Sequence, residues 1–423
     1  MGIIAPHSRP AARKWWICGL LLLASAINYM DRQTLANAAV RIGTEFHLNQ
    51  EHYGDLELAF GWAFAAGSLL FGALADRLPV RRLYPLVLVF WSAAGFATGL
   101  VNGYGGLLAC RTMLGFFEAG HWPCAIRTTR ELLSPENRAL GNSVLQSGTS
   151  VGAIITPLMM TRLMTAELGS WRYAFQVVGV LGLLWVITWF ALVRNGDLAP
   201  AGASANTGPH KPSGASWRVL YSRRMLVVLF VITCINTTWQ LLRAWMPKFL
   251  QQGRGYGERE TLYFTAAFYV ATDLGCVGAG IAALWLNKRG LSVHRSRLIA
   301  FAGCAGLTAL TCLAAVLPRG WPLLAVLLLV GAGALGLFPI YHALTQDISS
   351  EHQGKVTGLA GVVAWGLGSP AQTLFGRHID RTGSFDRGLA IAGWVPLLAF
   401  LALCLFWGKT ARRGPTPPEA AQP

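Results

Sequence analysis

Gly72-Ala-Leu-Ala-Asp76-Arg77-Leu-Pro79-Val-Arg81-Arg82 is a charged stretch wedged between two apolar runs, residues 53–75 and 84–103. A helix needs about 20 mostly apolar residues to cross a bilayer, and both flanks supply them. The stretch reads as a tight polar turn between two spanning helices, its cations held at one membrane face. The same alternation recurs outward in both directions. Further apolar runs cover 15–36, 107–130, 139–161, 171–193, 219–246, 261–286, 298–316, 321–345, 355–376 and 388–408, twelve in all. Arg13-Lys14 ahead of the first run imitates a secretion signal. The run is too long for one and carries Asp31-Arg32 near its far end, so it reads as a retained helix.

Composition agrees. Of 423 residues, 53% are hydrophobic and only 13% charged, against roughly 25% charged in a soluble domain. Mean hydropathy is +0.44. So few charges would not cover the surface of a soluble protein of this size, and so apolar a chain is not disordered. The net charge of +16 does not indicate nucleic-acid binding, because the basic residues lie in short gaps between apolar runs. With the N-terminus placed in the cytoplasm, inside segments carry about 22 Lys and Arg and outside loops about 10. This asymmetry places both termini inside. The eight cysteines form no CxxC pair, so no metal site, redox motif or cofactor is expected.

Residues 195–217 form the one long polar stretch, rich in Gly, Pro, Ala and Ser, and read as a flexible cytoplasmic linker. The expected organisation is a six-helix bundle over 1–194, the linker 195–217, a second six-helix bundle over 218–411 and a disordered tail 412–423. A faint repeat supports the division. Asn287-Lys288-Arg289-Gly290 follows the second span of its half, as the opening stretch does in the first half. Two similar six-helix halves suggest a transporter with a site at their interface, near mid-membrane.

Gly72–Arg82 resembles the loop 2–3 signature of the major facilitator superfamily, with Pro79 and Val80 departing from it. Arg111-Thr-Met-Leu-Gly115-Phe-Phe-Glu118-Ala-Gly120 resembles the span 4 motif of the same superfamily. Asn28-Tyr29-Met-Asp31-Arg32 resembles the anion:cation symporter family within it, and Gln146–Pro157 is similar to the hexuronate-type span 5. Thr149 stands where galactonate-type members carry a glutamine, and Val363–Trp365 where an asparagine is frequent. The resemblance implies a bacterial inner-membrane carrier of organic anions such as sugar acids. It also implies coupling to protons through Asp31 and Glu118, with Arg32 on the anion.

Charges within a bilayer are costly and usually functional. Arg111 and Glu118 are two helical turns apart and share a face, about 10 Å apart along the axis, so each calls for a partner on another helix. Glu118 reads either as a proton carrier, since low dielectric favours a neutral carboxylate, or as half of a fixed interhelical ion pair. Asp31 and Arg32 point about 100° apart. Arg32 suits a substrate carboxylate, which a guanidinium grips with two parallel bonds, and Tyr29 offers a hydroxyl; an anchor at the span end is the plainer reading. Arg243 follows Trp239 by one turn, where stacking is possible, and both, with Arg111, are candidate substrate-binding residues. Specificity and snorkelling beside Lys248 are its two readings. Asp273 is a possible partner for Arg243, or a second protonation site. His121, three residues after Glu118, reads as a proton relay or, more simply, as a satisfied polar group. Gln146 and Thr149 offer polar atoms in span 5, where Gly148 and Gly152 read as packing positions. Asp76, Arg77, Arg81 and Arg82 are candidate gating ion pairs at the cytoplasmic ends, or plain topology determinants.

The expected function is proton-coupled uptake of a small organic anion by alternating access. Two alternatives stand beside it: efflux of metabolites or drugs, and a membrane sensor that binds without transporting. No GxSxG, HExxH or P-loop supports an enzyme. The residues themselves leave proton or sodium open as coupling ion, and oligomeric state has no signature here.

Overall fold

Uninterrupted apolar runs become helices because only a helix satisfies its own backbone groups in hydrocarbon. The computed structural model describes residues 11–194, 197–198, 222–348 and 353–407. The first half holds α1 (Ala11–Glu45), α2 (Gln50–Arg77), α3 (Val80–Thr98), α4 (Tyr104–Glu118), α5 (His121–Leu132), α6 (Pro135–Leu163) and α7 (Trp171–Leu192). The second holds α8 (Arg223–Lys248), α9 (Glu258–Lys288), α10 (Val293–Ala309), α11 (Thr311–Val316), α12 (Trp321–Ile348), α13 (Gln353–Gly368), α14 (Pro370–Thr382) and α15 (Asp386–Phe406). Among the described residues, seven helical stretches are by themselves long and apolar enough to cross a membrane.

Three spans are broken in two: α4–α5, α10–α11 and α13–α14. Counting each pair once gives twelve spans in two bundles of six. Two of the breaks have a proline cause. Pro123 lacks the N–H that would bond back to Ala119, and Pro370 forces a break at Ser369. Each bundle has its own apolar core, around Phe60, Trp91 and Trp185 in the first and Phe301, Leu337 and Trp407 in the second.

The first helix extends the expected run. It continues past residue 36 to Glu45, because its final polar residues find partners. Arg41 bonds Glu258, and Glu45 accepts from Arg172 and the Trp171 indole. Asp31-Arg32 is therefore not at a span end. It lies about 20 Å inside the Glu45 end, and the anchor reading falls. Most of the expected linker and all of the expected tail lie outside the described residues. Within the linker, Asp197 is described and pairs with Arg13 at 2.8 Å.

An even number of spans puts the start of α1 and the end of α15 at one face, here the termini side. The links between bundles run from the far side to the middle. Arg41 binds Glu258, Arg377 binds Glu51, and Thr373 donates to Asp55 at 2.7 Å. Asp380 accepts from the first backbone N–H groups of α2, at Gln50 and Glu51 (2.9 and 2.7 Å), capping a helix N-terminus with a carboxylate of the other bundle. An apolar layer joins Tyr53 and Leu56 to Trp245, Phe249 and Phe375 beneath these links. The far side is thus closed. On the termini side, a Cβ added at Gly358 or Gly361 of α13 would meet nothing within 4 Å. Both lie on the helix face of Trp365, which reaches the centre, so open space lies below that ring.

Candidate functional site

Asp31 and Arg32 on α1, Glu57 on α2, Arg111 and Glu118 on α4 and Arg243 on α8 meet where the two bundles face each other. None of the six is more than 4% exposed. Arg32 Nε donates to Glu118 Oε2 at 2.8 Å. Arg111 Nη2 donates to Glu57 Oε1 at 2.9 Å, and Arg243 Nη2 donates to Glu57 Oε2 from the opposite bundle. Two turns of separation on α4 thus deliver Arg111 to α2 and Glu118 to α1. Charges so buried persist only when paired or put to use.

Some of their atoms have no partner among the described residues. These are Arg32 Nη2, Glu118 Oε1, Arg111 Nε and Nη1, and both carboxylate oxygens of Asp31. Asp31 packs against α3 at Gly95, where an added Cβ would come within 2.7 Å of its Oδ1 and the carboxylate would have to shift. Its charged neighbours are Glu118, Arg111 and Arg32. Arg32 lies 5.0–5.6 Å from the rings of Tyr29, Phe60, Phe64 and Trp365, an aromatic cage that attracts the cation while keeping water away. Trp365 comes from the second bundle, so this cage too spans the interface. Arg111 lies 4.2 Å from the Phe60 ring centre.

Arg243 neither snorkels nor pairs with Asp273. Besides Glu57, its Nε donates to Gln240 at 2.7 Å and its Nη1 to the Arg32 carbonyl at 3.4 Å. Asp273 accepts instead from Ser150 of the first bundle at 2.8 Å. Trp239 meets Tyr269 edge to face, and Tyr269 takes a hydrogen bond from Gln33 across the interface. Lys248 is buried, its ammonium 4.5 Å from the Tyr53 ring centre.

On α6, Thr149 is buried and bonds the Gln146 carbonyl at 2.8 Å. Gln146 is exposed one turn below Ser150, on the face turned to the second bundle. His121 has both ring nitrogens engaged, by Ser25 at 3.0 Å and Tyr84 at 2.9 Å. It knits α1, α3 and α5 together and is a satisfied core group. Arg77, Arg81 and Arg82 lie at the termini side, apart from the buried cluster. Arg81 donates to the Val193 carbonyl at 2.9 Å, while Arg77 and Arg82 are exposed. The side chain of Asp76 lies outside the described residues.

Sequence reading missed Glu57, which stands at the start of an apolar run, close behind Glu51 and Asp55. It also missed a small polar cavity beside Glu57, lined by Asn236, Gln240, Trp365, Ser369 and Gln372. The pair Asn236 and Gln240, one turn apart in an apolar span, was its signal.

Twelve spans in two bundles around a buried, charged centre define a membrane transporter. The chain belongs to the Major Facilitator Superfamily, whose family model matches residues 21–373. It is 27% identical over 400 residues to the probable L-galactonate transporter of Escherichia coli K12, covering 90% of this chain and 87% of that protein. It is also 27% identical to the hexuronate transporter of Bacillus subtilis, covering 91% and 93%. A solved bacterial homolog of the human lysosomal transporter Spinster, in an inward-facing and unoccupied conformation, superposes with a TM-score of 0.78 at 16% identity. That match covers 94% of this chain and 98% of the other.

Proposed function

We propose that the protein takes up a small sugar acid, such as a hexuronate, in symport with protons across the bacterial inner membrane. The observation that carries this is the Arg32–Glu118 pair. It is buried between the bundles, with Arg32 Nη2 and Glu118 Oε1 both unpartnered. A guanidinium in a dry aromatic cage is the strongest available receptor for a carboxylate. Glu118 holds it only while ionised. Protonation of Glu118 frees Arg32 for the substrate, so proton and anion enter together. Asp31 is the second proton acceptor of the cluster. Asn236, Gln240 and Gln372 supply groups for sugar hydroxyls, and Tyr29, Gln146 and Thr149 complete the candidate lining.

The excess of Lys and Arg on the termini side supports cytoplasmic termini. The structure then represents the state closed to the outside. Arg77, Arg81 and Arg82, with Asp76, act in the opposite state, where the cytoplasmic ends close. Loaded and empty states interconvert only if anion and proton bind the two conformations differently.

The test is uptake of labelled glucuronate and galacturonate into proteoliposomes, with and without an inward proton gradient, for wild type and Glu118→Gln. We expect gradient-driven accumulation in wild type. The variant should retain anion exchange without accumulation. Wild-type uptake that ignores the gradient removes Glu118 from coupling, and no uptake of either acid removes the named substrates.

A further inference from the structure

The Arg111–Glu57–Arg243 bridge has a chemistry of its own. Glu57 uses one carboxylate oxygen for each arginine, one from its own bundle and one from the other. Arg243 is otherwise engaged by Gln240 and the Arg32 carbonyl. The three buried arginines therefore differ. Arg32 keeps one unpartnered nitrogen and Arg111 two, whereas Arg243 is not among the unpartnered groups and is held by a carboxylate belonging to the protein. Glu57 also borders the small cavity beside Asn236, Gln240 and Gln372, so it stands next to the amide groups assigned above to the sugar hydroxyls.

The geometry points to Glu57 as a tethered carboxylate that fills a second anion subsite, making the carrier selective for substrates with one acidic group over those with two. The inference rests on the reading above, that the substrate is a sugar acid. Charge balance supports it. Arg32, Arg111 and Arg243 are matched by Asp31, Glu57 and Glu118, so the buried cluster is neutral when all six are ionised. A monoanion entering with one proton leaves it neutral. A dianion entering with one proton leaves an uncompensated charge in low dielectric, and enters neutral only if a second proton is taken up, at Asp31. Its second carboxylate would also have to displace Glu57 from Arg243, the arginine of the cluster with no unpartnered nitrogen. With Glu57 neutral, Arg243 and Arg111 become a receptor for that second carboxylate.

The test is competition against labelled galacturonate by unlabelled galacturonate (one carboxylate) and galactarate (two), in proteoliposomes holding wild type or Glu57→Gln. In wild type galactarate should compete at least tenfold more weakly than galacturonate; equal or stronger competition overturns the inference without any variant. In Glu57→Gln the gap should shrink to threefold or less, and a gap that persists in folded variant protein also overturns it. Should the variant fail to fold, the wild-type comparison decides alone. Failure of the parent reading looks different, since wild type would then take up no galacturonate at all.

Discussion

Arg41 at the far end of α1 grips Glu258 at the start of α9 with two parallel hydrogen bonds, 2.7 and 2.6 Å long. The pair joins the two bundles and is 15% and 25% exposed. Together with the Arg377–Glu51 and Asp380 contacts it holds the far side shut. A bidentate, half-sheltered pair contributes about 1 kcal/mol. Glu258→Gln should therefore move the balance toward the far-side-open form by about fivefold. Spin labels on cysteines introduced at His47 and Ser384, with the native cysteines replaced, should report a larger population of long distances. An unchanged distribution would assign closure to the apolar layer of Tyr53, Trp245 and Phe375 instead.

Arg32→Lys tests whether the guanidinium shape matters beyond its charge. Arg32 bonds Glu118 through Nε while Nη2 stays unpartnered inside the ring cage. An ammonium is a point charge and cannot hold Glu118 and a substrate carboxylate along parallel directions. Losing one charge-assisted hydrogen bond costs about 1.5–3 kcal/mol, so galacturonate transport should fall about 10- to 100-fold in kcat/KM. Full activity in the lysine variant would place substrate recognition elsewhere, with Arg111 the next candidate.

These two cases mark how far the sequence could be read. The spans were legible because hydropathy acts over whole helices, and Arg32, Glu118, Arg111 and Arg243 because a charge in an apolar run has few explanations. What was hidden is pairing across the interface. Glu57 lies close behind Glu51 and Asp55, so it passes for part of an acidic helix start until α8 brings Arg243 against it. The end of α1 was hidden for a related reason. Arg41 and Glu45 look like loop residues in one dimension and become helical only because Glu258, Trp171 and Arg172 satisfy them. Trp365 looked like the loss of an asparagine, whereas it supplies a wall of the Arg32 cage.

His121 stands three residues from Glu118 and yet belongs to a different network. Its two nitrogens are used by Ser25 and Tyr84, so His121→Ala leaves both hydroxyls without that partner inside the first bundle. A buried unsatisfied polar group costs about 1–3 kcal/mol. Thermal unfolding in detergent should show a lower midpoint, while the number of protons moved per anion stays unchanged. A changed proton-to-anion ratio would instead make the histidine part of the proton path.

Gly148 and Gly152 let α6 lie against α1 where α1 carries the charged centre. A Cβ at Gly148 would run into the Leu22 carbonyl, and one at Gly152 into the Ala26 carbonyl, backbone atoms that cannot swing aside. Gly152→Ala must push the helices apart, an overpacking that costs about 1–3 kcal/mol. The push acts five residues before Asp31, so anion transport should fall together with thermal stability. Gly72→Ala is the matched control. Nothing lies within 4 Å of its added Cβ, and an alanine in an unstrained helix is neutral or stabilising by about 0.4–1 kcal/mol. Thermal midpoints and galacturonate uptake measured on both variants separate the two outcomes. Equal behaviour of Gly152→Ala and Gly72→Ala would mean that α1 and α6 slide freely, and that the position of Asp31 and Arg32 is fixed by their own ion pairs.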